Sequence, residues 1–382
     1  MLGLDPARVP APCFVLDLAA MRRNLAVLDS VRKRTGAKIL LAQKAFSMYH
    51  VYGEIARTLD GCCASSPHEA RLAKEEFRKE VHSFAAAFSR QDLKELLSCS
   101  DHIVFNSLSQ WDRFRDLTAP YQGKISFGLR CNPEHSEADV DLYSPCGPNS
   151  RLGIRSATLK EYGGIPDGIE GLHFHALCQR NSDALARTLA AFEEKFGEYI
   201  PGMKWVNFGG GHHITRADYD VDLLCRLITS FREKYGVETI YLEPGEAVVL
   251  NAGSLYAEIL DITHNQTDIA VMNVSAECHT PDVLEMPYRP EIVNAGLPGE
   301  YPYLYRLAGH SCLAGDIMGD YSFPEPLKVG DRIELLDMAL YSMVKTNTFN
   351  GLQLPSIASW DSETGVFCLH REFSYFDFKS RL

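Results

Sequence analysis

Four short stretches of the sequence carry residues able to do chemistry together. Lys44 follows the apolar run AKILLAQ (37–43). An amine at the end of a buried strand is expected to be partly desolvated, which lowers its pKa and makes it a usable nucleophile. Taken alone, Lys44 reads more plainly as a rim lysine paired with a carboxylate. Gly209, Gly210 and Gly211 stand in a row at the end of KWVNFGG, ahead of His212 and His213. Consecutive glycines let backbone N–H groups close on an anion, and three exceed what a tight turn needs. Glu243 sits in TIYLEP (239–244), before Gly245 and Glu246. A carboxylate at the end of a buried strand needs a cationic partner, or it is neutralised. A protonated pyridine nitrogen would serve, and so would a nearby Arg or Lys. His173 and His175 close GLHFHA (171–176). An imidazole at 175 suits stacking on a flat ring, although a lone His is more often structural. A nucleophilic lysine, a glycine cup for phosphate and an acid for a ring nitrogen together match one cofactor, pyridoxal 5'-phosphate.

Each of these residues follows a short apolar run. The runs are AKILLAQ, GCCAS (61–65), VHSFAAA (81–87), HIVFN (102–106), KISFGLR (124–130), GLHFHA, KWVNFGG and TIYLEP. Between them lie HEARLAKEEF, RQDLKELL, SDALARTLAAFEEKFGEY and DVDLLCRLITSFREKYG, with the i, i+3, i+4 apolar spacing of helices packed on a sheet. Eight strands alternating with helices predict an α/β fold with a (β/α)8 barrel over 20–250, whose chemistry gathers at the C-terminal strand ends. Segment 131–165, with Gly, Pro and Ser, predicts a long loop with a short helix. After about residue 250 the pattern changes to AEILDITH, DIAVMNV, YLYRLAG, DRIELLD, ALYSMV, LPSIASW and VFCLHRE. These β-rich runs predict a second, mostly antiparallel β domain made of 1–19 and 251–382, with CFVLDL adding a strand.

Composition narrows the function. Of the 382 residues, 38 are Lys or Arg and 50 are Asp or Glu, a formal charge of −12. Such a surface repels phosphate backbones, so no nucleic-acid partner is expected. It suits a cationic small molecule. No run reaches the roughly 18 apolar residues of a membrane span. Asp5 and Asp17 argue against an N-terminal signal peptide. Eleven scattered Cys with no CxxC pair read as reduced thiols, neither a disulfide framework nor a metal site, and predict a cytoplasmic protein.

The chain resembles the alanine-racemase-like (fold type III) pyridoxal-phosphate decarboxylases over nearly its whole length. The residues that carry the resemblance are the lysine in AQKAF, CASS (63–66), HFH (173–175), GGG (209–211), EPG (243–245), the Cys312/Asp316 segment and FNG (349–351). The longer strings NFGGGHHIT, LEPGEAV, ECHTPDVLEMPYRP, GHSCLAGDIMGDY and DMALYSMVKTNTFNG resemble the branch acting on carboxy-polyamines. The resemblance implies that Lys44 holds the cofactor covalently, His175 stacks on its ring and Glu243 keeps the ring nitrogen protonated. Gly209, Gly210, Gly211, Gly245 and Tyr341 would hold its phosphate. Cys312 would return a proton to the α-carbon after carbon dioxide leaves, although a Cys is more commonly a buried structural residue. A homodimer with shared sites is implied, with Cys312 reaching the partner subunit.

The sequence departs from the wider family at three positions. Glu246 stands where an Arg usually contacts phosphate, so it must turn away or meet a cation, and a polyamine-like substrate supplies one. Leu313 follows Cys312 where an acid is usual, and the nearest acid is Asp316. Cys178 replaces a phosphate-binding serine. Glu246, Asp282 and Asp316 are the expected substrate-binding acids; Glu285 is as readily a solvated loop residue, and His279 has no assigned role. Charge-assisted bonds to an ammonium are strong enough for two acids to select a long cationic tail. Two alternatives stay open: a decarboxylase of diaminopimelate or another amino acid, and a binding protein that holds the cofactor without turnover.

Overall fold

The computed structural model describes residues 3–138 and 144–382, so residues 139–143 of the expected 131–165 loop lie outside it. The chain divides into two compact units, Asn24–Val248 and Met1–Arg23 with Val249–Leu382. The first strand, β1 (Cys13–Asp17), belongs to the second unit and leads into the helix Leu18–Thr35.

The first unit is a closed parallel barrel. Its strands are β2 (Lys38–Ala42), β3 (Gly61–Ala64), β4 (Glu80–Phe84), β5 (His102–Phe105), β6 (Ser126–Arg130), β7 (Ile169–His173), β8 (Trp205–Asn207) and β9 (Thr239–Leu242). They pair in sequence order, and β9 closes on β2 with Tyr241 opposite Lys38. Each run is short and apolar because both faces of a barrel strand are covered. Leu40, Val104, Trp205 and Tyr241 pack together within the barrel. A Cβ on Gly128 or Gly171 would come within 2.3 or 2.1 Å of the Trp205 ring, so these glycines make room for it.

The outer helices read as expected. Ser182–Phe196 is capped by Asn181, and Val221–Tyr235 by Asp220. Phe192 and Phe231 turn inward onto Phe174 and Phe208, at centroid distances of 4.7 and 5.1 Å. A short helix, Ser156–Tyr162, precedes β7.

The second unit is an eight-stranded, mostly antiparallel sheet. It contains β1, β10 (Gly253–Asn265), β11 (Thr267–Met272), β12 (Tyr303–Ala308), β13 (Ile317–Phe323), β14 (Arg332–Leu336), β15 (Ser356–Asp361) and β16 (Val366–Arg371). The order is β13-β12-β11-β10-β1-β15-β16, with β14 also on β10. Only β1/β15 and β11/β12 run parallel among the described pairs. The opening run CFVLDL does add its strand here. Two details differ from expectation. IMGDYSF forms β13, whereas ALYSMV (339–344) forms consecutive turns with Tyr341 at φ 43°. No helix among the described residues is long and apolar enough to cross a membrane.

Candidate active site

The barrel's C-terminal strand ends bring together most of the residues singled out by chemistry. Lys44 lies in the turn after β2, beyond the strand itself. The turn is pinned by backbone bonds from Ala42 to Pro244 and from Gln43 to Cys63, 3.1 and 3.3 Å. Gln43 is buried; its amide donates to the Glu69 carbonyl (2.9 Å) and accepts from the Tyr52 hydroxyl (3.1 Å). Lys44, next in the turn, is exposed. It is not buried as the sequence suggested, because it sits past the apolar strand. Burial pushes the Cys63 thiol well up, with Glu243 adding to the shift and Lys44 opposing it, so both groups act on the end of β3.

Glu243 and the glycine turn are joined by one buried side chain. Asn207 ends β8; its Nδ2 donates to Glu243 Oε1 (2.7 Å) and its Oδ1 accepts the Gly209 N–H (2.8 Å). The Glu243 N–H donates to the Gly209 carbonyl at 2.8 Å. His173 Nε2 lies 3.4 Å from Glu243 Oε2. Burial alone would raise the Glu243 pKa; the His173 contact and the Asn207 donor outweigh it and hold the carboxyl well below its usual range.

His175 accepts the Gly210 N–H at Nδ1 (2.8 Å), which leaves the proton of a neutral imidazole on Nε2. Burial, then the nearby Lys44 and Arg130 charges, push its pKa well down, so it is neutral. Arg130, at the end of β6, donates to the His175 carbonyl (3.1 Å) and stacks over Phe84, 4.6 Å from the ring centre. Its own pKa falls to about 10 through burial.

The three glycines are required by close backbone approach. A Cβ would come within 2.4 Å of the Phe174 carbonyl at Gly209, 2.4 Å of the Glu243 carbonyl at Gly210 and 2.0 Å of the Leu177 carbonyl at Gly211. Gly209 and Gly211 also have positive φ, 70° and 80°. The first two amides are spent on Asn207 and His175, whereas the Gly211 amide has no bonded partner among the described residues. Gly245 packs its Cα side against Ala45 and the Ala42 carbonyl. Glu246 turns away from solvent: it accepts from Gln179 (2.9 Å) and lies 3.1 Å from His213 Nε2. Both its oxygens thus have partners within the protein.

The remaining residues belong to the second unit. Cys312 is exposed, and its N–H donates to Asn350 Oδ1 at 2.7 Å. Asp316 is buried, and its carboxylate accepts from the amides of Ala276 (2.7 Å) and Ser311 (3.1 Å), tying the Cys312 loop to residues 275–279. Asp282 and Glu285 both pair with the Lys345 ammonium. His279 is buried; its Nδ1 accepts the Ser275 N–H (3.1 Å). Tyr341 takes a left-handed backbone conformation, which a bulky residue adopts at a cost. Sequence reasoning passed over Asn207, Arg130 and Gln43. A signal existed for Asn207: a polar residue inside an all-buried strand must find partners.

Over residues 13–339 the chain matches the family described as pyridoxal-dependent decarboxylase, C-terminal sheet domain. The chain belongs to the pyridoxal-dependent decarboxylases. It is similar to the carboxynorspermidine/carboxyspermidine decarboxylase of Campylobacter jejuni, with 44% identity covering 98% of this chain and 99% of that one. It is also similar to the carboxyaminopropylagmatine decarboxylase of Synechocystis, with 42% identity covering 98% and 96%. The crystal structure of the Campylobacter jejuni carboxynorspermidine decarboxylase complexed with norspermidine superposes with a TM-score of 0.90 at 43% identity, covering 98% of this chain and all of that one. For a pyridoxal-dependent decarboxylase, the donor set at the barrel mouth is chemically apt: a free amine, a buried ionised carboxylate and a neutral imidazole.

Proposed function

We propose that the chain decarboxylates carboxynorspermidine and carboxyspermidine, giving norspermidine and spermidine, with pyridoxal 5'-phosphate at the barrel mouth. The observation that carries this reading is the 44% identity, over 98% of the chain, to the Campylobacter jejuni enzyme. A second reading, decarboxylation of carboxyaminopropylagmatine, is favoured by the 42% identity to the Synechocystis enzyme. The two substrates differ at the tail, ammonium against guanidinium.

The cofactor, when bound, supplies an electron sink for the pair left behind as carbon dioxide departs. Lys44 holds it covalently through an amine that is unencumbered in solvent. Glu243, ionised, would keep a proton on the ring nitrogen, its carboxylate oriented by Asn207 on one oxygen and by His173 beside the other. His175 offers a flat, uncharged face, because its Nδ1 is occupied by Gly210. The Gly211 amide and Gly245 would hold the phosphate. Cys312 returns a proton to the α-carbon, in a homodimer with shared sites. Glu246 fixes His213 and Gln179 beside the glycine turn. Asp282 receives the substrate's ammonium by sharing or exchanging Lys345. The free state of all eleven cysteines supports a reducing, cytoplasmic setting.

The test is a ranking of kcat/KM over carboxynorspermidine, carboxyspermidine, carboxyaminopropylagmatine, diaminopimelate and ornithine. The reading expects the two carboxy-polyamines with ammonium tails to lead. A lead for carboxyaminopropylagmatine replaces the first reading with the second. A lead for diaminopimelate or ornithine overturns both.

A further inference from the structure

Glu246 is a buried acid beside the glycine turn, and its contacts give it a purpose. It follows Gly245 directly and is only 8% exposed. Its Oε1 accepts from Gln179 Nε2 at 2.9 Å, and its Oε2 lies 3.1 Å from His213 Nε2. A carboxylate only accepts, so the His213 ring nitrogen is the donor. Gln179 belongs to the loop after β7, His213 to the loop after β8 and Glu246 to the segment after β9. One side chain thus joins three neighbouring loops at the barrel mouth.

The same loops are tied along their backbones. The Arg180 N–H donates to the Gly211 carbonyl (2.9 Å) and the His213 N–H to the Arg180 carbonyl (3.2 Å), which makes a short parallel bridge. The Thr215 hydroxyl donates to the Ala247 carbonyl at 2.7 Å. Gln179 has a positive φ of 54°, a conformation that a non-glycine residue holds at a cost. Its bond to Glu246 helps to offset that cost. The rival role for Glu246 is direct contact with a substrate ammonium. Its burial and its two internal partners speak against that role.

We propose that Glu246 is a positioning residue for the cofactor's phosphate. It acts as a clamp that sets the Gly211 amide and Gly245 relative to each other, and it touches neither phosphate nor substrate. This rests on the reading of the barrel mouth as the cofactor site. Gly211 precedes His213 by two residues and Gly245 precedes Glu246 by one, so the His213–Glu246 contact spans the two glycines. The Gln179 arm holds the loop whose Leu177 carbonyl packs against Gly211. Backbone amides grip an anion only when their placement is fixed in advance by a supporting shell of hydrogen bonds.

The test compares two molecules that differ in the phosphate alone. Full-length apoprotein is titrated with pyridoxal 5'-phosphate and with pyridoxal, and bound cofactor is followed by absorbance. Circular dichroism is recorded on every variant. The parent should strongly prefer the phosphorylated form. Glu246→Ala should cut that preference about tenfold or more, the weight of hydrogen bonds to a charged group. Glu246→Gln keeps an acceptor for Gln179 and should restore part of it. Gln179→Ala should cut the preference severalfold; Gln179 is exposed, so this variant keeps the test open if Glu246→Ala does not fold. Equal weakening of both molecules would make Glu246 a general structural residue and overturn the proposal. So would tighter binding of the phosphorylated form by Glu246→Arg, since the position would then be a direct phosphate contact. A parent that binds both molecules alike overturns the cofactor-site reading, and the clamp with it. A discriminating parent whose variants discriminate equally well overturns the clamp alone.

Discussion

Asn207 is the residue on which the geometry of the barrel mouth turns, and Asn207→Ala gives that statement a number. Its side chain is fully buried and makes two bonds, to the Gly209 amide and to the Glu243 carboxylate. Truncation leaves a buried N–H unsatisfied, at a cost of about 1–3 kcal/mol. It also removes a bond to a charged acceptor, about 1.5–3 kcal/mol. The two losses share one side chain and are not independent, so about 3 kcal/mol is the working figure. For a unit of this size each kcal/mol moves Tm by about 2–4 °C, so the melting temperature should fall by about 6–12 °C. Calorimetry of the cofactor-free protein reads this directly. Asn207→Asp is the second arm. It keeps an acceptor for Gly209 but faces Glu243 with a second carboxylate, so its defect should be largest at neutral pH and shrink as pH falls. A loss below about 2 °C for the alanine variant, or an aspartate variant as stable as the parent at pH 7, would refute the reasoning.

Other consequences follow from the same groups. His175, His212 and His279 are pushed down by burial, the latter two to about 4. Their folded pKa lies below the unfolded value of about 6.5, so the unfolded chain takes up protons first and stability falls as pH drops through that value. His212 and His279 should each cost about 1 kcal/mol between pH 7 and 5.5, with His175 adding in the same direction, read from urea midpoints; a flat profile would contradict their burial. Cys312→Ala should lower kcat by roughly a hundredfold or more, or send the proton to the wrong carbon, while cofactor absorbance stays unchanged. An unaltered rate and product would remove Cys312 from its role.

Much of the fold was legible because barrel strands are short, apolar and followed by amphipathic helices. TIYLEP and KISFGLR announce themselves that way. β13 did not, because Gly319 and Asp320 interrupt its apolar run, and Asp320 is matched only by Arg306 across the sheet. ALYSMV misled in the other direction: its residues favour strands, yet Tyr341 turns the chain with a positive φ. In the site, the lysine, the glycines and Glu243 stood out by type and spacing. Their partners did not. Asn207 matters through two bonds that only the closed barrel creates. Glu246 meets His213 and Gln179, and Asp282 meets Lys345, through long-range contacts that no local pattern encodes.

The most direct test of the central claim is carbon dioxide release from carboxynorspermidine by cofactor-reconstituted protein, with norspermidine measured alongside and Lys44→Ala as control. The account predicts equal amounts of the two products from the parent protein and none from the variant. Release that persists in Lys44→Ala, or cofactor bound at Lys44 with no release from the parent, would contradict it.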